Sequence, residues 1–338
     1  MVVEMGRTRV TEIAARGAEL RFTAGDDETS ATVAAANAFL SLLDDGQRSS
    51  AMYAIDDPVR PNWSNLPAGI LDFERNGARI GDMNDEQVSA IFAFLATALS
   101  AKGYKKVVDV VGADEVLSHT ERAPHFAWTD ENYWLAFFGT PSDSEKWGWQ
   151  FGGHHLGVNV TLVDGISYMS PTFIGIEPAE YEAYDETIAP LAPELEAGLA
   201  LINALNEQQR NRSMVGDRPL EVWTAAGHDG FIPALEGSCV ADWSTAQRQT
   251  LADTVAMWFD ILDDESRKPR VAELDEQIKD ARFAWHGEID GSGPIYYRIQ
   301  APALIIEYST QGGVGADTGH YHSIYRDPTN EYGVSVGN

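Results

Sequence analysis

Residues 147–163, WGWQFGGHHLGVNVTLV, decide how the chain is read. From Leu156 onward they alternate as a strand does, with Leu156, Val158, Val160 and Leu162 on one face and Gly157, Asn159 and Thr161 on the other. Asp164-Gly165 follows, the strongest two-residue hairpin signal, so the strand must turn back on an antiparallel neighbour. Extending the alternation backwards puts His154 on the apolar face and His155 on the face of Asn159. Adjacent strand residues point opposite ways, so an ideal strand does not aim both imidazoles at one site. Gly152-Gly153 supply a candidate bulge that would re-aim one of them.

Working outward, short β segments surround this stretch at 126–128, 133–138, 147–151 and 166–169, and their close spacing makes them antiparallel. A second β block is expected at 282–286, 295–299, 303–308 and 319–326. Helices precede each block. Thr29-Ser30 cap a helix to about Leu43. Asn84 with Gln87, and Ser244 with Gln247, have the spacing of capping boxes, and Gly103 is read as a helix end. Further helices are expected at 105–117, 191–205 and 271–279. The fold class is therefore α+β, antiparallel sheets with flanking helices. Residues 1–28 are read as a polar, loosely docked segment and 29–338 as one domain. LLDDGQRSSAM (42–52) resembles ALNEQQRNRSM (204–214), and each is followed by a Trp- and Pro-containing loop, a Gln-boxed helix, and strands opening with FAW (126–128 and 283–285). That similarity raises a pseudo-duplicated unit, 29–186 and 187–338, against the alternative of shared ordinary composition. Whether the two β blocks form one sheet or two stays open.

The chain has 338 residues, 44% of them hydrophobic, which is enough for a sizeable core. A formal net charge of -28 disfavours nucleic-acid binding and anionic membrane surfaces. Cys239 is the single cysteine, which rules out an intrachain disulfide and a cysteine-based zinc cluster. The N-terminal stretch lacks an apolar signal core and no apolar run reaches about 18 residues, so the expectation is a cytoplasmic protein, or an exported one if a leader has been removed.

His320-Tyr321-His322 forms a second histidine cluster. Residues i and i+2 of a strand share a face, so both imidazoles can bind one ion, and Arg326 continues that face. In the preceding segment ALIIEY, Glu307 interrupts an apolar run, which is costly unless it is paired or ligating. His154, His155, His320 and His322 are therefore the candidate ligands of a divalent ion, Zn, Fe, Mn or Cu, with Glu307 a further candidate ligand. A single site requires the two clusters to lie within about 12 Å, since first-shell metal–nitrogen bonds are only about 2 Å. The bland readings are a satisfied core histidine for His154 and a salt bridge to Arg326 or Arg298 for Glu307. Aromatics such as Trp149 could line a pocket, although on sheets they are more often core. Gly312, Gly313 and Gly315 form a candidate lid before His320.

The runs WGWQFGGHHLGVNVTLVDG and PTFIGIEPAEY, and later YYRIQAPALIIEYSTQ and HYHSIYRDPTNEYG, resemble a bacterial family known as domain of unknown function 3500. The resemblance covers roughly residues 35–333 and maps the family motifs onto His154, His155, Asn159, Glu307, His320, His322, Arg326 and Asp327. It implies a common site without naming a reaction, and export for many relatives. Gln150 stands where a basic residue is common, a departure that bears on substrate binding. So does the chain's end soon after NEYG, where many relatives continue.

The reading is a metal-dependent enzyme acting on a small organic substrate, with hydrolysis slightly preferred over oxidation. Glu307 is the candidate general base, Arg326 the candidate oxyanion holder, and Trp149 and Asn159 the candidate substrate contacts. The alternative is a non-catalytic small-ligand-binding protein with an aromatic and histidine pocket. A purely structural role would need the two clusters far apart or fully buried. Substrate and oligomeric state are not legible.

Overall fold

The computed structural model describes residues 4–22, 30–217, 221–316 and 319–337. Thr29 lies outside them, but Ser30 caps the helix that follows, its Oγ accepting from Val33 N at 3.4 Å. In the first half the elements are α1 (Arg9–Arg16), α2 (Ala31–Ser41), α3 (Asp45–Ala51), β1 (Met52–Tyr53), β2 (Ala78–Arg79), α4 (Asp85–Ala98), α5 (Ala101–Ser118) and α6 (Ala123–Phe126). The meander β3 (Trp134–Phe138), β4 (Trp147–Gly152), β5 (Leu156–Val163) and β6 (Ile166–Ile176) follows, then the small hairpin β7 (Tyr181–Ala183) and β8 (Glu186–Ile188). The second half runs α7 (Ala192–Ala204), α8 (Glu207–Ser213), β9 (Met214–Gly216), β10 (Ser238–Cys239), α9 (Thr245–Ala256) and α10 (Asp264–Ile278). It ends in the meander β11 (Arg282–Gly287), β12 (Ile295–Ala301), β13 (Leu304–Gln311) and β14 (His320–Arg326).

Both β blocks belong to one twelve-stranded mixed sheet, ordered β1-β3-β4-β5-β6-β14-β13-β12-β11-β10. The pairings of the first half recur in the second. β1 runs parallel to β3 as β9 does to β11, and β2 runs antiparallel to β3 as β10 does to β11. The two meanders meet last strand to last strand, β6 against β14, antiparallel. This register also corrects the FAW alignment. Residues 126–128 are not a strand: Phe126 ends the one-turn α6 and Ala127 takes a positive φ of 52°. The counterpart of Phe283-Ala284-Trp285 is Leu135-Ala136-Phe137, because Ala78↔Leu135 and Met52↔Phe137 match Ser238↔Phe283 and Met214↔Trp285.

The repeated QR segments have a local physical cause. Gln47 and Gln87 each close a capping box and also hydrogen-bond each other, Gln87 Nε2 donating to Gln47 Oε1 at 2.7 Å and to Leu42 O at 2.9 Å. Gln209 and Gln247 repeat the arrangement, with Gln247 Nε2 donating to Gln209 Oε1 at 2.9 Å and to Ala204 O at 2.9 Å. One glutamine pair in each half thus locks two helix N-termini together.

One face of the sheet carries the main core under the helices; the other is covered by the loops at 54–77 and 221–237, around Trp63, Phe173, Val222, Ala225 and Ile324. Asp164 and Gly165 both take positive φ, 50° and 76°, as the hairpin requires. Two further expectations are corrected. Gly103 does not end a helix: Leu99 and Ser100 separate α4 from α5, and Gly103 lies in the first turn of α5, where a Cβ would come within 2.5 Å of Ile261 O. Residues 4–22, the described part of the N-terminal segment, are not loosely docked, for α1 buries Val10 and Ala14 in the main core. No helix among the described residues is long and apolar enough to cross a membrane.

Gln87→Ala removes a cap acceptor and takes one hydrogen bond each from the Leu42 carbonyl and Gln47, so urea denaturation should show a loss of about 2 kcal/mol. Gln249→Ala, on the exposed side of α9, should change stability by less than about 0.5 kcal/mol.

Candidate metal centre

The tandem histidines occupy a bend at residues 153–155, between β4 and β5. Gly153 N donates to Leu156 O at 2.9 Å, and Gly175 N of β6 donates to His155 O at 2.7 Å. The alternation does not hold across the bend, which brings the two imidazoles into a stack with ring centroids 3.6 Å apart. His154 Nδ1 lies 2.8 Å from Asp114 Oδ1 of α5. His320 and His322 stand on β14, and His322 pairs with Gly175 in the register with β6. That glycine is a spatial requirement: a Cβ there would lie 2.6 Å from His155 Cδ2 and 2.9 Å from His322 Cδ2.

The two clusters therefore form one group. His155 Nε2 lies 2.9 Å from His320 Nε2, and one ligand atom from each of His155, His320 and His322 falls within 4.8 Å of the others. Burial, reinforced by the neighbouring His154, His320 and His322, pushes the His155 pKa well below 6.5. Burial, with His322 and His154 adding to it, takes His320 down to about 2. Both rings are thus neutral, the form that ligates metal. Among the described residues, His155 Nδ1 and His322 Nε2 are buried without a hydrogen-bond partner. Buried polar atoms are nearly always satisfied, so two orphans in one group call for a ligand.

Carboxylates stand behind these rings. Glu221 Oε1 lies 2.7 Å from His322 Nδ1, which turns the free Nε2 toward the group. Burial opposes ionisation of Glu221, but the His322 hydrogen bond and charge outweigh it and bring its pKa to about 2. Glu177 Oε2 lies 3.8 Å from His320 Nδ1, while its Oε1 accepts from Gly315 N and from Ala316 N at 3.1 Å. Asp114 holds His154 and accepts from Tyr133 Oη at 2.7 Å. The two hydrogen-bonded pairs, Glu221 with His322 and Asp114 with His154, are of the kind that fixes tautomer and ring orientation at metal sites.

The other sequence candidates lie outside the three-histidine group. His154 stacks on His155, ring centroids 3.6 Å apart, with its Nδ1 committed to Asp114. Asp114, His154 and His155 also offer ligand atoms within 4.8 Å of one another, but near-parallel stacked rings direct their lone pairs poorly at a shared ion. Glu307 is fully buried and accepts from Trp223 N at 3.0 Å, Thr224 N at 2.8 Å, Thr224 Oγ1 at 2.5 Å and Tyr296 Oη at 2.5 Å. Its acceptor capacity is taken up by the loop that carries Glu221, and it pairs with neither arginine. Arg326 binds the same loop, donating to Thr224 O at 2.6 Å and Ala225 O at 3.1 Å, and its charge is met by Asp229 and Glu331. Asn159 Oδ1 accepts from Gln150 Nε2 at 2.6 Å, and Asn159 Nδ2 donates to Pro171 O at 2.9 Å. Trp149 packs edge-on against Phe94 in the helix-side core, centroids 5.5 Å apart. Sequence reasoning missed Asp114, Gly175, Glu177 and Glu221. For Gly175 and Glu177 a signal existed, since a glycine and a glutamate interrupt the apolar run TFIGIEP.

Fold and site together define an α+β protein with a buried, carboxylate-backed three-histidine group that could hold a metal ion. The family model described as "Protein of unknown function (DUF3500)" matches residues 25–334, and the chain belongs to that family. No curated protein and no solved structure matches the chain.

Two outcomes follow from this geometry. The unfolded chain protonates His155 and His320 near pH 6.5 while the native metal-free protein does not, so their contribution is complete above that pH and is lost on acidification. The loss should run at about 1.4 kcal/mol per pH unit for each histidine, with a shallower slope in His320→Asn. Urea midpoints measured at several pH values test this, and a flat profile contradicts it. Glu307→Gln should lower stability by about 2 kcal/mol while leaving the bound-metal content unchanged, because it loosens the loop clamp and no ligand.

Proposed function

We propose that His155, His320 and His322 hold one divalent transition metal ion, and that the chain is a metal-dependent enzyme acting on a small organic substrate. The observation that carries this reading is the donor set itself: three imidazoles within ligating distance of a common ion, two of their nitrogens buried and unpartnered, one ring hydrogen-bonded to a carboxylate and a second with a carboxylate 3.8 Å away. Zn, Fe, Mn and Cu all accept such nitrogen donors.

Hydrolysis is favoured over oxidation on charge grounds. Three neutral ligands leave the full +2 charge on the ion, the condition under which a coordinated water ionises near pH 7. A two-histidine, one-carboxylate facial set, the signature of many oxygenases, is not what these residues make. Of the carboxylates around the histidines, Glu177 keeps an oxygen uncommitted among the described residues, 3.8 Å from His320 Nδ1, so it replaces Glu307 as the candidate general base. Substrate approach is from the side of His320, whose side chain is 13% exposed, and Glu221, 48% exposed. Arg326 and Asn159 act by holding the surrounding loops, and Trp149 by packing.

The test is elemental analysis of protein purified without a histidine tag, beside the double variant His320→Ala/His322→Ala. Near-stoichiometric metal in the native protein, lost in the variant, supports the reading. Chelation should then abolish turnover of hydrolysable substrates such as p-nitrophenyl esters, and zinc should restore it. No metal in either protein, even after reconstitution, overturns it in favour of a metal-free ligand pocket.

A further inference from the structure

On the helix side of the β6–β14 seam the sheet is not fully covered. α5 from the first half and residues 257–261 from the second, which touch at Gly103 and Ile261, border the gap together with residues 186–194. They leave a cavity of about 450 Å³, on the face of the sheet away from the three histidines. Thr172, Ile174 and Tyr325 form its floor, and Leu191, Met257 and Trp258 its walls. Volume and lining are those of a small-molecule site, mostly apolar with a few polar groups.

Two of those polar groups are unsatisfied. Thr172 Oγ1 and Glu194 Oε2 are buried without a hydrogen-bond partner among the described residues, and their residues are only 4% and 3% exposed. The cations of the cavity are already committed: Lys102 to Asp260, Lys105 to Asp109 and Lys106 to Glu194. Glu186 adds a fourth acid to the lining against these three lysines. An anionic ligand would meet no uncommitted lysine, whereas a donor would satisfy the orphaned oxygens.

We propose that this cavity binds a small, largely apolar molecule carrying one hydrogen-bond donor, an ammonium or a hydroxyl, received by Glu194 Oε2 or Thr172 Oγ1. The inference is independent of the metal centre.

Calorimetric titration with 4-phenylbutylamine, 4-phenyl-1-butanol and 5-phenylpentanoate tests it. The amine or the alcohol should bind at least about tenfold more tightly than the carboxylate. Preference for the amine assigns Glu194 as the receiving group, and equal binding of amine and alcohol assigns Thr172. Ile174→Trp, which fills the cavity, should abolish binding in a protein whose circular dichroism is native. Thr172→Val keeps the shape, so it remains informative if the tryptophan variant does not fold. It should weaken binding of the donor probes where Thr172 receives them, as Glu194→Gln should where Glu194 does, and it should raise the Tm of the ligand-free protein, because it removes an unpaired buried hydroxyl. Absence of binding at about 1 mM, equal binding of the carboxylate, or affinity unchanged in every variant overturns the proposal.

Discussion

The antiparallel seam between β6 and β14 is the contact on which the rest of the structure depends. It runs from Tyr321↔Ile176 to Tyr325↔Thr172 and joins two meanders that would otherwise each end in an exposed edge. It also brings residues far apart in sequence into one group, setting His322 beside Gly175 and, through the Gly175 amide, beside His155. Without a side chain at Gly175 there is room for two imidazoles over one backbone position. The seam thus joins the two meanders into one sheet and carries His320 and His322 of β14 to His155.

Where the halves differ, the difference lies at the site. Asn159 pairs with Gln150 in the register of the first meander, and Glu307 pairs with Arg298 in the second, so Asn159 and Glu307 occupy equivalent positions. In the first half an uncharged amide pair fills the space. In the second, a carboxylate gathers the amides of Trp223 and Thr224 and fixes the loop that delivers Glu221 to His322. The bend bearing His154 and His155 faces, at the equivalent place in the second half, only the tight turn Pro302-Ala303. The histidine group is therefore built once, at one end of a repeated framework.

Much of this was legible because it is local. The period-two alternation of residues 156–162 marked a true strand, and the box glutamines at 87 and 247 marked true helix starts. Errors arose where tertiary contacts override a local signal. Gly103 reads as a helix terminus but serves close packing against Ile261. Phe126-Ala-Trp128 has strand composition, yet Trp128 stacks on His154 from a turn. Glu307 was correctly singled out as a costly buried acid, but its partners are the Tyr296 hydroxyl on the neighbouring strand and the amides and Thr224 hydroxyl of a distant loop, which no spacing rule reveals. Asp114 and Glu221 look like ordinary surface acids until the fold sets an imidazole against each of them.

The central claim is that one ion sits among His155, His320 and His322. X-ray absorption at the metal edge, on protein reconstituted with zinc, tests it most directly. The account predicts nitrogen neighbours at about 2.0–2.1 Å with the multiple scattering of imidazole, equivalent to three histidines and reduced to two in His155→Asn. An oxygen-only shell, or a spectrum that His155→Asn leaves unchanged, would contradict it.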